Sequence, residues 1–340
     1  MKLNFIVLYS IILFLLSCKD DDTKPGSNGC DPNGLLETFT SPDGQEIFIY
    51  ENGELFISDG SACTFAMQYF DPDFFDNHYV INHSGTFLIS DGGELFPAKS
   101  NYTENFEDYT SLPELFISSI TDTERYWTNF TLQSPATPDE SDYIALNKCI
   151  IDETCTFIDN RIELADDPAN ASNQVLKFTC VPPSADMITA KCSITSTLNF
   201  YRNGSEVWFE ADFFIESGAP FSIIDFENAY FHQSPGPRVV IRDGKLELEN
   251  KFGSKLNYAN NSEISIPQNQ WFTLKVHLKY STDNDGIIEL WQDGTPIIST
   301  TGINLPTSNS IQNVLETGVT ASSEGCVLYL DNMRISETRF

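Results

Sequence analysis

Residues 271–280 read WFTLKVHLKY, and apolar and polar side chains alternate from Phe272 onward. Successive side chains of a strand point to opposite faces, so this alternation predicts a β-strand with one buried face. The side chains that we expect to be buried are Phe272, Leu274, Val276 and Leu278. Those that we expect to be accessible are Lys275, His277 and Lys279.

The same alternation recurs on both sides of this stretch. It runs through 207–215, 238–249 and 287–291, and the last of these leads into Asp293-Gly294, a hairpin signal. No stretch sustains a helical period for three turns. The sequence therefore predicts an all-β fold, in which residues 102–340 form a two-sheet antiparallel sandwich.

An internal repeat lies upstream of the predicted sandwich. Residues 53–60 read GELFISDG and residues 85–92 read GTFLISDG. Each copy is a short strand that ends in Ser-Asp-Gly, which is typical of successive hairpins. We expect residues 30–98 to form a small, acidic, β-rich unit, and we identify no chemistry in it.

The charge of the chain excludes some partners. It has 49 Asp and Glu residues against 19 Lys and Arg residues, a formal net charge of -30, while 41% of its residues are apolar. The apolar content is enough to build a core. A chain with so few cations cannot replace the counterions of nucleic acid, and it has no basic surface for anionic lipid.

The first 29 residues look like an export signal and a tether. Lys2 precedes an apolar run that is too short to span a bilayer, and Ser17-Cys18 follows it. This resembles the cleavage site of bacterial lipoproteins, which implies a signal peptide over 1–17 and acylation of Cys18. The acidic segment that opens 18–29 resembles the tether of lipoproteins exposed on the outer-membrane surface. The alternatives are a plain secretory signal and a solvated linker.

Seven cysteines remain after Cys18, and cysteines tend to pair in an oxidising compartment. Cys149 and Cys155 flank a short acidic loop. Cys180 and Cys192 flank a turn between two strand-like runs, so we expect them to close a hairpin. Cys30 with Cys63 would be the remaining pair, which leaves Cys326 buried and free. No C-x-x-C pair is present, so a zinc site is not expected.

The order of motifs in the second half resembles a known family. The landmarks are 206–209 (EVWF), 235–238 (PGPR), 244–246 (GKL), 271–276 (WFTLKV), 285–294 (DGIIELWQDG), 318–319 (GV) and 329–332 (YLDN). This string is similar to polysaccharide-lyase-like proteins of the heparin-lyase type. The resemblance covers roughly 105–336 and implies a concanavalin-A-like jelly roll. It is specific for the fold and weaker for activity.

The departures from that family concern its catalytic residues. Such lyases carry Gln-x-His where this chain has Asp225 and Glu227, and a Tyr and a Lys near 315–319 that this chain lacks. A lyase could instead use Tyr230 or His232 as the base, with Arg238 on the uronate carboxylate.

A glycoside hydrolase is a second enzymatic interpretation. Glu210 and Asp212 share one face of a strand, as do Asp225 and Glu227, and a hydrolase needs two carboxylates on opposite sides of the bond it cleaves. The single-strand carboxylate spacings of laminarinase-type jelly rolls are absent. A ladder of carboxylates against basic residues explains the same pattern without catalysis.

Polysaccharide binding needs fewer features and is the leading interpretation of the sequence. Sugar sites combine aromatic faces with a few polar groups. The predicted substrate-binding residues are Trp208, Glu210, Asp225, Glu227, Arg238 and Arg242. The expected partners are a polysaccharide, the lipid anchor and other glycan-uptake proteins of the cell surface. The alternatives are a lyase, a hydrolase, and a structural or protein-binding module.

The sequence also suggests a structural Ca²⁺ site; no cofactor is required. We expect Asn105–Tyr109 to be the opening strand of the sandwich and 328–335 the closing one. If these strands pair, Glu107 and Asp331 would be neighbours, and carboxylates are Ca²⁺ ligands. Capping or turn contacts by both residues are the alternative.

Overall fold

The computed structural model describes most of the chain from residue 33 onward. The ranges are 33–40, 46–50, 55–58, 63–67, 80–83, 86–91, 94–117, 124–227, 236–253, 257–307 and 310–340. The predicted signal peptide, Cys18 and the tether lie outside these residues, as do Cys30, Tyr230 and His232.

Two small antiparallel sheets precede the sandwich. The first has the order β1-β2-β3-β4 and the second the order β5-β6-β7. Their strands are β1 (Leu35–Thr40), β2 (Glu46–Tyr50), β3 (Leu55–Ser58), β4 (Cys63–Met67), β5 (Val80–His83), β6 (Thr86–Asp91) and β7 (Glu94–Pro97). The repeated motif forms β3 and β6, and each is an inner strand of its sheet.

Two larger sheets make a sandwich, as the alternation predicts. The first sheet has the order β10-β11-β24-β14-β19-β20-β21, with β8 also paired to β24. Its strands are β8 (Tyr102–Glu104), β10 (Arg161–Asp167), β11 (Asn170–Cys180), β14 (Glu206–Ser217), β19 (Trp271–Lys279), β20 (Ile287–Gln292), β21 (Thr295–Thr301) and β24 (Cys326–Ser336).

The second sheet has the order β18-β17-β16-β15-β23-β12-β9. Its strands are β9 (Asn129–Thr131), β12 (Ala190–Ser196), β15 (Ser222–Glu227), β16 (Pro237–Arg242), β17 (Lys245–Asn250), β18 (Asn257–Tyr258) and β23 (Val314–Ser322). A separate short antiparallel pair forms between β13 (Tyr201–Arg202), which precedes β14, and β22 (Ile311–Gln312), which precedes β23. The apolar faces of the two large sheets meet in one core.

The register predicted for β19 is confirmed. Phe272, Leu274, Val276 and Leu278 are all 0–1% exposed. Lys275 and Lys279 are half-buried, as residues of the opposite face. The expectation for His277 is wrong, because it is only 5% exposed.

His277 is buried on the outer face of the first sheet and not in the core. Its ring stacks on Trp208 with centroids 3.7 Å apart. Its Nδ1 lies 2.8 Å from Glu289 and its Nε2 lies 3.2 Å from Glu206. His277 therefore lies on the face that the alternation predicts, and side chains of the neighbouring strands cover it there.

The Asp-Gly signal forms a tight turn, as expected. β20 and β21 are paired, and Asp293 and Gly294 have φ of 50° and 74°. Positive φ at both central residues is the type I′ geometry that matches the twist of the two strands. Asp243 and Gly244 make the corresponding turn between β16 and β17, with φ of 50° and 72°.

Two local expectations are corrected. A helix, α1 (Glu140–Ile151), is present although no three-turn period is visible. Of its residues with described burial, Leu146, Asn147 and Ile150 are buried, too few positions to make a long apolar pattern. The opening strand is β8 and not Asn105–Tyr109, which forms a turn. No helix of the described ranges has the length and apolar character needed to cross a membrane.

One of the predicted disulfides is present, and the predicted pair Cys30–Cys63 cannot be followed because Cys30 lies outside the described residues. Cys149 and Cys155 are bonded at the carboxyl end of α1. Cys180 and Cys192 are free buried thiols, so that predicted pair is corrected. The reason is topological: β11 and β12 do not form a hairpin, because β11 belongs to the first sheet and β12 to the second.

Candidate functional site

The face of the second sheet that points away from the core is polar. Its strands alternate so that the apolar side chains enter the core and the polar ones point outward. We call this surface the polar face. Its charged side chains in the described part of the chain are Lys191, Asp225, Glu227, Arg238, Arg242, Lys245, Glu247, Glu249, Lys251 and Glu316.

An ammonium group bridges the two carboxylates of β15. Lys251 Nζ lies 2.9 Å from Asp225 Oδ1 and also contacts Glu227. Asp225 is only 1% exposed. Burial alone would raise the pKa of Asp225, but Lys251 and Lys191 outweigh that effect and hold the pKa below its ordinary value. Asp225 is therefore an ionised carboxylate that depends on its lysine partners.

A second acid–base pair lies on the neighbouring strands β23 and β12. Glu316 accepts a hydrogen bond from Ser193, and Lys191 Nζ is 3.4 Å from it. Burial raises the pKa of Glu316, and the attraction of Lys191 offsets only part of that rise. Asp225 and Glu227 add to the rise by repulsion. Asp225 and Glu316 lie on neighbouring strands, and the pKa of Asp225 is lowered while that of Glu316 is raised.

Arg238 and Arg242 form the third cluster of the polar face. Arg238 donates from Nε at 2.8 Å and from Nη2 to one oxygen of Glu249, and Arg242 donates to the other. Both guanidinium groups lie over the ring of Phe221, at 5.0 and 5.5 Å from its centroid. Stacking and ion pairing fix both groups while leaving other N–H donors for a ligand.

The described charges of the polar face balance, five cations against five carboxylates, in a chain of net charge -30. An anionic glycan therefore meets much less repulsion here than over the rest of the surface. Guanidinium groups are well suited to bind carboxylates through paired hydrogen bonds. The arrangement can bind hydroxyl and carboxylate groups of a sugar at the same time.

The structure brings together four of the six predicted substrate-binding residues and separates the other two. Asp225, Glu227, Arg238 and Arg242 share the polar face. Trp208 and Glu210 lie on β14, in the other sheet, and point away from the core on its outer side. The predicted grouping is therefore corrected. The carboxylate set of the hydrolase interpretation is also not assembled, because β14 and β15 belong to different sheets.

Trp208 is unsuited to stack on a sugar where it lies. It is 6% exposed, and one partner of its ring is His277. Lys275 Nζ and Arg339 Cζ lie over the ring at 5.8 and 5.5 Å. Protein groups thus already occupy the surfaces that a pyranose would need.

Glu210 lines an open cavity of about 810 Å³ on the same side of the first sheet. Glu104 is the buried carboxylate of this cavity. It accepts hydrogen bonds from the hydroxyls of Tyr102 and Tyr109 at 2.8 and 3.0 Å and from two backbone N–H groups. Its charge is satisfied by the protein itself, so Glu104 needs no ligand.

The residues predicted to hold Ca²⁺ do not fit that role. Glu107 accepts from the backbone N–H of Gln174 at 2.9 Å, and Asp331 accepts from Asn173 at 2.9 Å and from Asn332. N–H donors therefore point at both carboxylates where a cation would bind. These contacts are the turn and amide contacts of the alternative interpretation.

A different carboxylate trio has the spacing of a metal site. Oxygens of Asp225, Glu227 and Glu316 lie within 4.8 Å of one another. The ammonium groups of Lys251 and Lys191 already lie among them and supply positive charge. A resident divalent cation would have to displace these groups, so the trio does not fit a metal site either.

Sequence reasoning did not identify four important residues of the polar face. They are Lys191, Phe221, Lys251 and Glu316. The alternation of β12 and β23 signals that Lys191 and Glu316 point away from the core. No local pattern signals that Lys251, which follows β17, reaches β15.

Comparisons with known proteins found one matching family model and several similar solved structures. A model of the polysaccharide lyase family matches residues 120–334. The endo-β-1,4-glucuronan lyase of the fungus Trichoderma reesei is 13% identical, with a TM-score of 0.44, over 53% of this chain and 87% of that one. Alginate lyase Aly36B is 11% identical, with a TM-score of 0.42, over 72% of this chain and 99% of that one. No curated protein matches the chain.

The family match includes every strand of the second sheet, from β9 to β23, and so the whole polar face. It covers well over half of the 340 residues. The fold, the order of the strands' motifs and this match agree, and the chain belongs to the polysaccharide lyase family.

Proposed function

We propose that this protein is a polysaccharide lyase that cleaves a uronate-containing glycan on the polar face. The observation that supports this most is the family match, since it spans all strands of that face. The polar face also combines fixed guanidinium donors with a local charge balance. The sequence by itself favours simple binding, and the family match favours catalysis.

β-Elimination sets three requirements. A cationic or hydrogen-bonding group must neutralise the uronate carboxylate, a base must remove the proton on the adjacent carbon, and an acid must protonate the leaving oxygen. We assign the first role to Arg238, assisted by Arg242. We assign the base to Tyr230 or His232, which lie in the connection between β15 and β16 and outside the described residues.

The carboxylates of β15 also bear on the substrate. Glu227, whose side chain is 24% exposed, would accept hydrogen bonds from neutral sugar hydroxyls, and both charges would repel a dense row of anions. We therefore expect a glycan in which uronates alternate with neutral sugars, in preference to a highly sulfated polymer.

Single replacements of Arg238 and Trp208 should show which face of the sandwich binds the substrate. Arg238→Ala should lower kcat/KM on the glycan by a factor equivalent to about 1–3 kcal/mol, because a charge-assisted hydrogen bond to the substrate is lost. Trp208→Ala should cost about 2–3 kcal/mol of stability through lost packing and leave kcat/KM unchanged. The assays are ultraviolet absorbance of unsaturated uronate products and urea unfolding.

The glycan panel should contain glucuronan, alginate and a neutral glucan. Arg238→Lys is the matched control, since it keeps the charge and loses the paired donors. Unchanged kcat/KM in Arg238→Ala, together with a loss in Trp208→Ala, would move the site to the first sheet.

Binding without catalysis is the second candidate function. It is favoured by Asp225 and Glu227, which stand where related lyases carry Gln-x-His. A protein that only binds would show heat of binding to the polymer in calorimetry and would release no unsaturated product in the ultraviolet assay.

We also propose that the protein is a lipoprotein of the outer-membrane surface, on the sequence grounds given for Cys18 and the tether. Cys18→Ala should move the protein from the membrane fraction to the soluble extracytoplasmic fraction, because the acylated residue is gone. Replacing Cys30 in the same way should leave the distribution as in the wild type. Membrane association that survives Cys18→Ala would contradict the proposal.

A further inference from the structure

Two buried thiols face each other across neighbouring strands of the first sheet. Cys180 is the last residue of β11 and Cys326 is the first of β24, and the antiparallel register places them directly opposite. They are 3% and 2% exposed and belong to the same core. Opposite residues of paired strands project to the same side, so both thiols point inward.

The spacing of such a pair suits a covalent bond. Directly opposite residues of antiparallel strands have Cα atoms about 4.5–5.5 Å apart. Disulfides span Cα separations of about 4.4–6.8 Å. Each thiol also makes a long contact of its own, from Cys180 Sγ to the carbonyl of Val181 at 3.6 Å and from Cys326 Sγ to Ser322 Oγ at 3.8 Å. The backbone therefore does not need to move for the sulfur atoms to join.

Cys192 is the competing partner, and its position is less favourable. It lies on β12 in the opposite sheet, where its thiol donates to the backbone carbonyl of Arg161 at 3.0 Å. A bond from Cys192 to either of the other sulfurs would have to cross between the sheets. Cys180 and Cys326 need no such crossing, because their strands are hydrogen-bonded to each other.

We propose that Cys180 and Cys326 form a disulfide that links β11 to β24 when the chain meets a thiol–disulfide oxidant. The thiolate of Cys326 attacks the disulfide of the oxidant, and one oxidant sulfur leaves as a thiolate. The thiolate of Cys180 then attacks the sulfur of Cys326 and releases the oxidant as a dithiol. The protein loses two protons and two electrons, which the oxidant disulfide takes up.

The burial of the pair determines when this exchange occurs. Side chains that are 2–3% exposed cannot meet an oxidant in the closed sandwich. The exchange therefore precedes the final packing of the two strand ends. Once formed, the bond is shielded from reductants for the same reason. It closes a loop of more than about 100 residues, the size range in which a cross-link restricts the unfolded chain most.

The test is a thiol map of the full chain exported to an oxidising bacterial periplasm. The protein is denatured without reductant, alkylated, digested and analysed by mass spectrometry. We expect a linked peptide pair containing Cys180 and Cys326, two hydrogen atoms lighter than the dithiol, and an alkylated Cys192. Alkylation of Cys180 and Cys326 to the same extent as Cys192, or a peptide that links Cys192 to either of them, overturns the proposal.

Two serine variants complete the test. Cys326→Ser should leave Cys180 open to alkylation and lower the Tm by about 10 °C relative to the oxidised wild type. Cys192→Ser, the matched buried control, should keep the linked peptide. Alkylation is performed on denatured protein, so the map remains readable if a variant folds poorly. Loss of the linked peptide in Cys192→Ser would show that the bond depends on Cys192, and this result would overturn the proposal.

Discussion

Lys251→Met is expected to lower the free energy of unfolding by about 3–5 kcal/mol near neutral pH, because it removes the ammonium group that contacts the buried carboxylate of Asp225. Lys251 bridges Asp225 and Glu227, and the Asp225 side chain is only 2% exposed. Methionine matches the length of the lysine stem and removes only the charge and its donors. Urea unfolding of the purified variant measures the loss.

The loss should depend on pH in a defined direction. The folded protein lowers the pKa of Asp225, so its ion pairs stabilise the fold at neutral pH and lose that effect as pH falls through the lowered pKa. Lys251→Met removes the largest of the effects that lower the pKa of Asp225, so we expect that pKa to rise. The penalty of Lys251→Met should therefore be largest at about pH 7 and smaller at about pH 4–5, where the carboxyl groups take up protons.

Lys148→Met is the matched control for this variant. Lys148 pairs with Asp152 at 3.0 Å, but the two side chains are 77% and 48% exposed. We expect a cost of about 0.5 kcal/mol or less, which is typical of a surface pair on a helix. Adding Asp225→Asn to Lys251→Met should recover part of the stability, since it removes the stranded charge. Equal costs for Lys251→Met and Lys148→Met would contradict the role given to the cluster.

Gly318→Ala is expected to destabilise the fold by about 2–6 kcal/mol through two separate effects. Gly318 lies in β23 with φ of +115°, a conformation that residues with a side chain rarely adopt. A Cβ atom there would also come within 2.6 Å of the ring of Phe178, which is fully buried. Backbone strain and overpacking of the core therefore act together.

Gly244→Ala separates the two effects. Gly244 has φ of +72°, but a Cβ atom at that position would meet nothing within 4 Å. It should show the backbone effect alone, about 1 kcal/mol. Phe178→Leu in the Gly318→Ala background should restore part of the loss by making room. If both glycine variants cost the same in urea unfolding, the contact with Phe178 is not a constraint.

The local sequence was enough to predict the clearly alternating strands and their faces, but not the opening strand β8. The alternation in β19 identifies its four core residues, and the Asp-Gly signal identifies the turn between β20 and β21. Both depend on short-range geometry, because side-chain direction has a period of two and a tight turn needs positive φ. The motif order was also enough to identify the family resemblance that the match over residues 120–334 supports.

The candidate site could be predicted only in part. Asp225, Glu227, Arg238 and Arg242 were grouped correctly because they lie on consecutive strands of one sheet. Trp208 was misplaced, although its strand and its face were both right. The alternation of β14 shows that Trp208 points away from the core, and it contains no information about which sheet β14 joins.

The sequence by itself determined the strands with a clear alternation, the side chains of those strands that enter the core, and the resemblance to the family to which the chain belongs. Only the tertiary structure decided which strands share a sheet, and so which residues share a surface. It separated Cys180 from Cys192, placed Cys326 beside Cys180 and brought Lys251 to Asp225. The physical reason is that periodicity is a property of neighbouring residues, whereas strand order depends on contacts between residues far apart in the chain.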